Sequence, residues 1–244
     1  MKTPYLWILL ILFAGTGLAQ EKVSSKTFEP ITLQNKITFT DAAFNQPKFC
    51  CAFLLNYHNA TYAVTAKHLL KIIKTKTMTS VYLQNEVKSW QMFSLDKPTE
   101  ILATDKLLNE APAELLADKA PFENDWLVFS IKNNGAKVKP LQVRATPLTP
   151  GEKLYVIGWT RKMETGPQRV YEFEYYKTIG NRLLLKDVVV PELLGGLSGA
   201  PVVDEQGLVV GLVSNSTVDP DTQKKYFSPC SIATLTGFLN RYQK

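Results

Sequence analysis

The sequence predicts an all-β protein of two packed barrels with a helix at its C-terminal end. Three observations point there. Short runs rich in β-branched and aromatic residues recur along most of the chain, bounded by Asn, Pro, Lys or Asp. A stretch around Asn133-Asn134-Gly135 and from Pro140 to Gly151 has few regular signals and divides the runs into two sets. A sustained helical pattern comes only at the end.

Taken in order, the chain of 244 residues starts with a basic Met1-Lys2, an apolar run from Tyr5 to Ala14 and the small residues Gly17-Leu18-Ala19. That is the pattern of a secretory signal peptide over residues 1–19. The alternative is an uncleaved N-terminal anchor, but a membrane span needs about 20 apolar residues and this run is shorter. Gln20 to Pro30 is polar and reads as an extended lead-in. Strands are expected at residues 37–40, 51–55, 61–65 and 81–83, with a hairpin turn at Asn56 to Asn59. Residues 68–73 have helical spacing over a turn or two. Residues 107–119, rich in Ala, Leu and Glu, are expected as a second short helix or a long loop. The apolar run from Trp126 to Ile131 is a strand. Beyond the divide, strands are expected at residues 153–157, 168–176 and 182–190, then at Val202-Val203 and 208–213. Ile232, Leu235, Phe238 and Leu239 mark the terminal helix, with Ser231 as its cap.

Composition narrows the function. Lys and Arg number 28 against 22 Asp and Glu, a net charge of +6, or +5 once Lys2 leaves with the leader. The densest basic cluster, Lys67, Lys71, Lys74 and Lys76, lacks the interleaved aromatics of a single-strand nucleic-acid platform and reads as a solvated face. No second stretch is apolar enough to span a bilayer, so no membrane contact is expected after leader cleavage. Cys50, Cys51 and Cys230 are odd in number and two are adjacent, which excludes a disulfide scaffold. Buried thiols are the expectation, with one long-range bridge to Cys230 the alternative. No spacing suits a metal, and no cofactor is implied.

One stretch carries chemistry. Gly195-Gly196-Leu197-Ser198-Gly199-Ala200-Pro201 sets a serine among three glycines, between strands. Such a loop bends sharply and can turn several backbone N–H groups to one point, beside a hydroxyl. Acyl transfer needs that pairing of nucleophile and oxyanion site; an ordinary Gly-rich hairpin is the plain alternative. A serine nucleophile also needs a base and an orienting acid. There are two histidines: His58, in the Asn56-Tyr57-His58-Asn59 turn, and His68, just past the strand ending at Thr65. His68 is either a structural strand-end residue or the base. Asp125, immediately before the apolar run from Trp126, is either a turn residue or the acid.

Three segments resemble those of the trypsin- and chymotrypsin-like serine peptidases, above all their small bacterial secreted members. Thr65-Ala66-Lys67-His68 is similar to the family's Thr-Ala-Ala-His, and Asn124-Asp125-Trp126-Leu127-Val128 to its Asn-Asp-x-x-Leu. Gly196-Leu197-Ser198-Gly199-Ala200-Pro201 is similar to its Gly-Asp-Ser-Gly-Gly-Pro. Val156-Ile157-Gly158-Trp159 and Gly211-Leu212-Val213-Ser214 echo two further segments, the latter the strand along the substrate channel. All five stand in family order over nearly the whole mature chain.

The resemblance implies two six-stranded Greek-key barrels: residues 20–135 carrying His68 and Asp125, and residues 136–244 carrying Ser198 and the helix. It implies a secreted or periplasmic serine endopeptidase acting on protein or peptide substrates through His68, Asp125 and Ser198. The N–H groups of Gly196 and Ser198 would form the oxyanion site, and Glu192, Ser214 and Asn215 would meet substrate. Leu197 replaces an aspartate that pairs with a newly cut N-terminus in many members, so an enzyme that folds active is expected. Leu69 replaces a cysteine, and Asn215 a tryptophan. The alternative reading is an inactive relative serving as a binding module. An α/β-type esterase is excluded, because its histidine follows its serine and none follows Ser198 here.

Overall fold

A computed structural model describes residues 23–83, 85–118 and 120–242. The expected leader lies outside the described residues. From Val23 to Pro30 the chain runs extended along what becomes the second barrel. Ser24 donates its N–H to the Val170 carbonyl at 2.8 Å, and the Phe28 ring lies 5.4 Å from that of Tyr155.

The first barrel is built from β1 (Thr32–Phe39), β2 (Gln46–Tyr57), β3 (Ala60–Thr65), β4 (Ser80–Val81), β5 (Val87–Ser94), β6 (Lys97–Leu107), β7 (Ala111–Leu115), β8 (Leu127–Asn134) and β9 (Leu141–Gln142). Its sheet runs β1-β5-β6-β8-β3-β2, and β2 pairs back onto β1, which closes six antiparallel strands. The short β9 adds to β2 in parallel, and β4 and β7 form a separate pair. The β2–β3 turn has only His58 and Asn59 at its tip, with φ of 47° and 63°. Both lie in the left-handed region, as a two-residue hairpin turn of matching twist requires. The short helical stretch is α1 (Leu69–Ile73).

The second barrel, β10 (Lys153–Gly158), β11 (Arg169–Ile179), β12 (Arg182–Val189), β13 (Pro201–Val203), β14 (Val209–Val218) and β15 (Lys225–Ser231), closes in the order β10-β11-β12-β15-β14-β13. α2 (Ile232–Tyr242) follows, with Ser231 Oγ accepting from the Ala233 N–H at 3.3 Å as its cap. The all-β, two-barrel architecture with its terminal helix is therefore present.

Alternation places the two barrels against each other. On β3, Ala63 faces the first barrel's interior while Tyr62 and Val64 face outward; on β8, Leu127 and Phe129 face in while Val128, and Trp126 just before the strand, face out. On β10, Leu154 and Val156 fill the second barrel, and Tyr155 and Ile157 face out. The outward sets from both barrels join Ile232, Leu235 and Leu239 of α2 in one apolar layer between them. Each fully buried side chain there contributes about 1.5–3 kcal/mol.

Residues 107–119 are neither helix nor loop throughout. They contain the end of β6 and the strand β7, which pairs with β4. Pro112 in that stretch is incompatible with a helix interior, and the β4 partner overrides the propensity of Ala and Leu. The three cysteines are free and buried.

Candidate active site

The layer between the barrels ends at an edge where three polar side chains meet. His68 stands between β3 and α1, Asp125 two residues before β8, and Ser198 in the loop between β12 and β13. His68 Nδ1 lies 2.7 Å from Asp125 Oδ2, and His68 Nε2 lies 2.9 Å from Ser198 Oγ. The backbone N–H of His68 donates to the other carboxylate oxygen, Oδ1, at 2.7 Å. An ionised carboxylate only accepts, so Nδ1 carries the imidazole proton and Nε2 is left to accept from the serine hydroxyl.

Asp125 is fully buried. Burial alone raises its carboxyl, but the hydrogen bond and charge of His68 and the donated hydroxyl of Ser214 outweigh it and hold the group below the ordinary carboxylate range. Asp125 is therefore ionised and held by three donors, two from His68 and one from Ser214.

The serine loop fits by the absence of side chains. Gly196 has φ of 100°, and a Cβ there would sit 2.3 Å from the Arg161 nitrogen. Gly199 has φ of 81°, and its Cβ would sit 2.3 Å from the Cys51 carbonyl oxygen. The Gly195 carbonyl accepts from the Arg161 N–H at 2.7 Å, while Leu197 N–H and Gly199 N–H are taken by Leu194 and Val213. The N–H groups of Gly196 and Ser198 donate to no protein group among the described residues.

Leu197 is fully buried within the second barrel's core with Trp159 and Ala200, so the position before Ser198 holds no charge. On the far side, the Cys51 N–H donates to the Ser198 carbonyl at 2.9 Å. Cys51's own carbonyl is fixed by Thr65 Oγ1 at 2.7 Å and Asn35 Nδ2 at 3.1 Å, and Asn35 Oδ1 in turn accepts from Trp90 Nε1 at 2.9 Å. Asn35 and Thr65 thus carry the loop from the first barrel. Sequence reasoning missed Asn35, since a lone Asn in a strand gives no signal of its own.

Of the remaining site candidates, Ser214 is buried on β14 with its hydroxyl on Asp125, and Asn215 beside it is half-buried. Glu192 lies on the surface, with 75% of its side chain exposed and its carboxylate 3.6 Å from Lys162. It forms no floor to a water-free pocket, and the surface-turn alternative describes its place. His58 lies apart from the site, its Nε2 2.9 Å from Asn240 Oδ1 of α2. Among the described residues no cluster of His, Cys, Asp or Glu is arranged to hold a metal ion, and no helix is long and apolar enough to cross a membrane.

A family model described as the trypsin-like peptidase domain matches residues 50–212, two thirds of the chain and all three meeting residues. The chain belongs to the trypsin-like peptidase family. With that membership it is a serine-type endopeptidase, a hydrolase. Solved structures of the same fold include neuropsin, a serine protease of mouse brain, at 15% identity and a TM-score of 0.61, covering 92% of this chain and 99% of that one. A serine endoprotease from Yersinia pestis aligns at 12% identity and a TM-score of 0.56, over 88% of this chain and 63% of the other. Identities so low speak for the fold alone. No curated protein matches the chain in sequence.

Proposed function

We propose that the protein is an exported endopeptidase that cleaves protein or peptide substrates through an acyl-enzyme on Ser198. His68 Nε2 takes the hydroxyl proton as Ser198 Oγ attacks the peptide carbonyl. Asp125 keeps the proton on Nδ1 and stabilises the imidazolium that forms. The tetrahedral oxyanion is received by the N–H groups of Gly196 and Ser198, at about 3 kcal/mol per donor. His68 then protonates the leaving amine, and water repeats the sequence to free Ser198. Asn215, half-buried on β14 beside Ser214, is the side chain offered to substrate. The leader at residues 1–19 sends the chain out of the cytoplasm, to a periplasm or beyond, and is removed.

What supports this reading most is the unbroken hydrogen-bond chain Asp125–His68–Ser198, at 2.7 Å and 2.9 Å, drawn from both barrels. Leu197 supports activity without a cleavage-generated charge pair. The direct test is hydrolysis of fluorescein-labelled casein by the wild type, Ser198→Ala and His68→Ala. Both variants should fall to a common residual rate, because the groups act as a unit. Wild-type turnover in either variant would end the proposal.

A further inference from the structure

The hydrogen bonds behind Asp125 extend one residue further than the proposed mechanism uses. Arg182 opens β12, is 9% exposed, and forms no ion pair among the described residues. Its Nη1 donates to Ser214 Oγ, and its Nη2 donates to the Phe122 carbonyl and, at 3.5 Å, to that of Glu123. The neighbouring Asn181 Nδ2 donates to the Glu123 carbonyl and, at 3.3 Å, to Asn124 Oδ1. The β11–β12 hairpin of the second barrel thus grips the three residues that lead into Asp125 of the first.

A cation buried without a counter-ion is costly, so buried charges are normally paired. The anion that Arg182 meets, through a single hydroxyl, is Asp125. A serine hydroxyl has one proton to give and two lone pairs to receive with. Ser214 Oγ receives from Arg182 Nη1 and, at 3.3 Å, from Asn215 Nδ2. Its proton is then directed to Asp125 Oδ2, the oxygen that also faces His68 Nδ1.

We propose that Arg182 is a positioning residue for this peptidase: its guanidinium ties the Phe122 and Glu123 carbonyls to β14 and obliges the Ser214 hydroxyl to donate to Asp125. The role requires a planar fork with donors at two angles, which an ammonium does not reproduce. It rests on the reading of Asp125, His68 and Ser198 as the working triad. The other groups facing Asp125 are His68 from the β3–α1 junction and Cys230 from β15. Lys67, next to His68, is turned aside to Glu114 at 2.7 Å.

The test uses a fluorophosphonate probe, whose attack by Ser198 needs the triad but no identified substrate. Limiting labelling rate and half-saturating probe concentration are measured for the wild type, Arg182→Met, Arg182→Lys, Ser214→Ala and the Arg182→Met/Ser214→Ala pair. Arg182→Met should label about 10- to 100-fold more slowly with the half-saturating concentration nearly unchanged, since only alignment is lost. In the Ser214→Ala background the same substitution should cost several-fold less than in the wild type, because the route through the hydroxyl is already gone and only the hold on the Phe122 and Glu123 carbonyls remains to be lost. Removing a fixed cation favours the protonated imidazole, so the acid limb of the labelling rate should move to higher pH in Arg182→Met. Arg182→Lys, which keeps the charge, should label several-fold more slowly with the limb in its wild-type place.

An Arg182→Met protein that labels at the wild-type rate, or loses as much with Ser214 as without it, would overturn the proposal. Should Arg182→Met fail to melt cooperatively, Arg182→Lys decides: a wild-type rate there refutes the need for the fork. A wild type that leaves Ser198 unlabelled would remove the triad reading together with this one. A labelled wild type indifferent to Arg182 removes only the role of Arg182.

Discussion

Replacing Asp125 by Asn tests the electrostatics of the site with almost no change of shape. Asp125 Oδ1 accepts the His68 backbone N–H at 2.7 Å, a donor fixed by the chain turning into α1. The amide oxygen of an asparagine therefore stays on that side, and its NH2 takes the place of Oδ2. There it faces His68 Nδ1, now 2.7 Å from an acceptor, and also the Ser214 hydroxyl. Nδ1 must then accept, which puts the imidazole proton on Nε2, pointed at Ser198 Oγ 2.9 Å away. The base is lost in its resting form. The expected fall in turnover is about 10,000-fold, equal to about 5.4 kcal/mol of barrier at 1.36 kcal/mol per tenfold. Casein hydrolysis and phosphonate labelling should fall in parallel while the circular dichroism spectrum is kept. A loss under about tenfold would refute the tautomer argument.

The same substitution has a stability signature whose sign is fixed. The hydrogen bonds hold the native carboxyl below its ordinary value of 3.8. The stabilisation is thus fully present above that pH and is lost as pH falls through the lower folded value. Acid unfolding of Asp125→Asn should therefore lack that component below about pH 4, and identical acid curves would contradict the assignment.

The thiols should be inert in the native state: burial pushes Cys50 up to about 11, against the pull of Arg161, and raises Cys51 as well. Ellman's reagent at about pH 8 should find no fast thiol in the native protein and all three after denaturation. Gly199→Ala should cost at least about 2 kcal/mol, since its Cβ meets the Cys51 carbonyl oxygen at positive φ. Gly180→Ala, with nothing within 4 Å of the new Cβ, should cost only about 1 kcal/mol for its φ of 56°. Equal melting temperatures for the two would argue against the close approach. Because Leu197 offers no charge to a new N-terminus, proteins beginning at Gln20 and at Val23 should hydrolyse casein equally well. A jump of about tenfold or more on trimming would show that the lead-in restrains the site.

Much of this was legible because each signal was local. Runs of β-branched and aromatic residues marked β3, β8 and β10, where apolar residues on both faces serve two cores at once. His68, Asp125 and Ser198 were legible because each comes with short flanks that prescribe its backbone. Elements that exist only through barrel closure were not. β6 runs through Pro98, Glu100, Asp105 and Lys106 and carries no strand signal, yet its partners β5 and β8 hold it in the sheet. Residues 111–115 had helical composition but found β4 as a partner. Arg182 gave no signal, since its place depends on a hairpin of one barrel reaching carbonyls of the other. The exposure of Glu192 likewise depends on the path of the loop after β12, which no residue in that loop announces.

The central claim is that Ser198 is the nucleophile. The most direct measurement is mass-spectrometric mapping of the adduct formed when the purified protein reacts with a fluorophosphonate. The account predicts a single adduct, on Ser198, that is absent from Ser198→Ala and from protein denatured beforehand. Labelling on another residue, or undiminished labelling of Ser198→Ala, would contradict it.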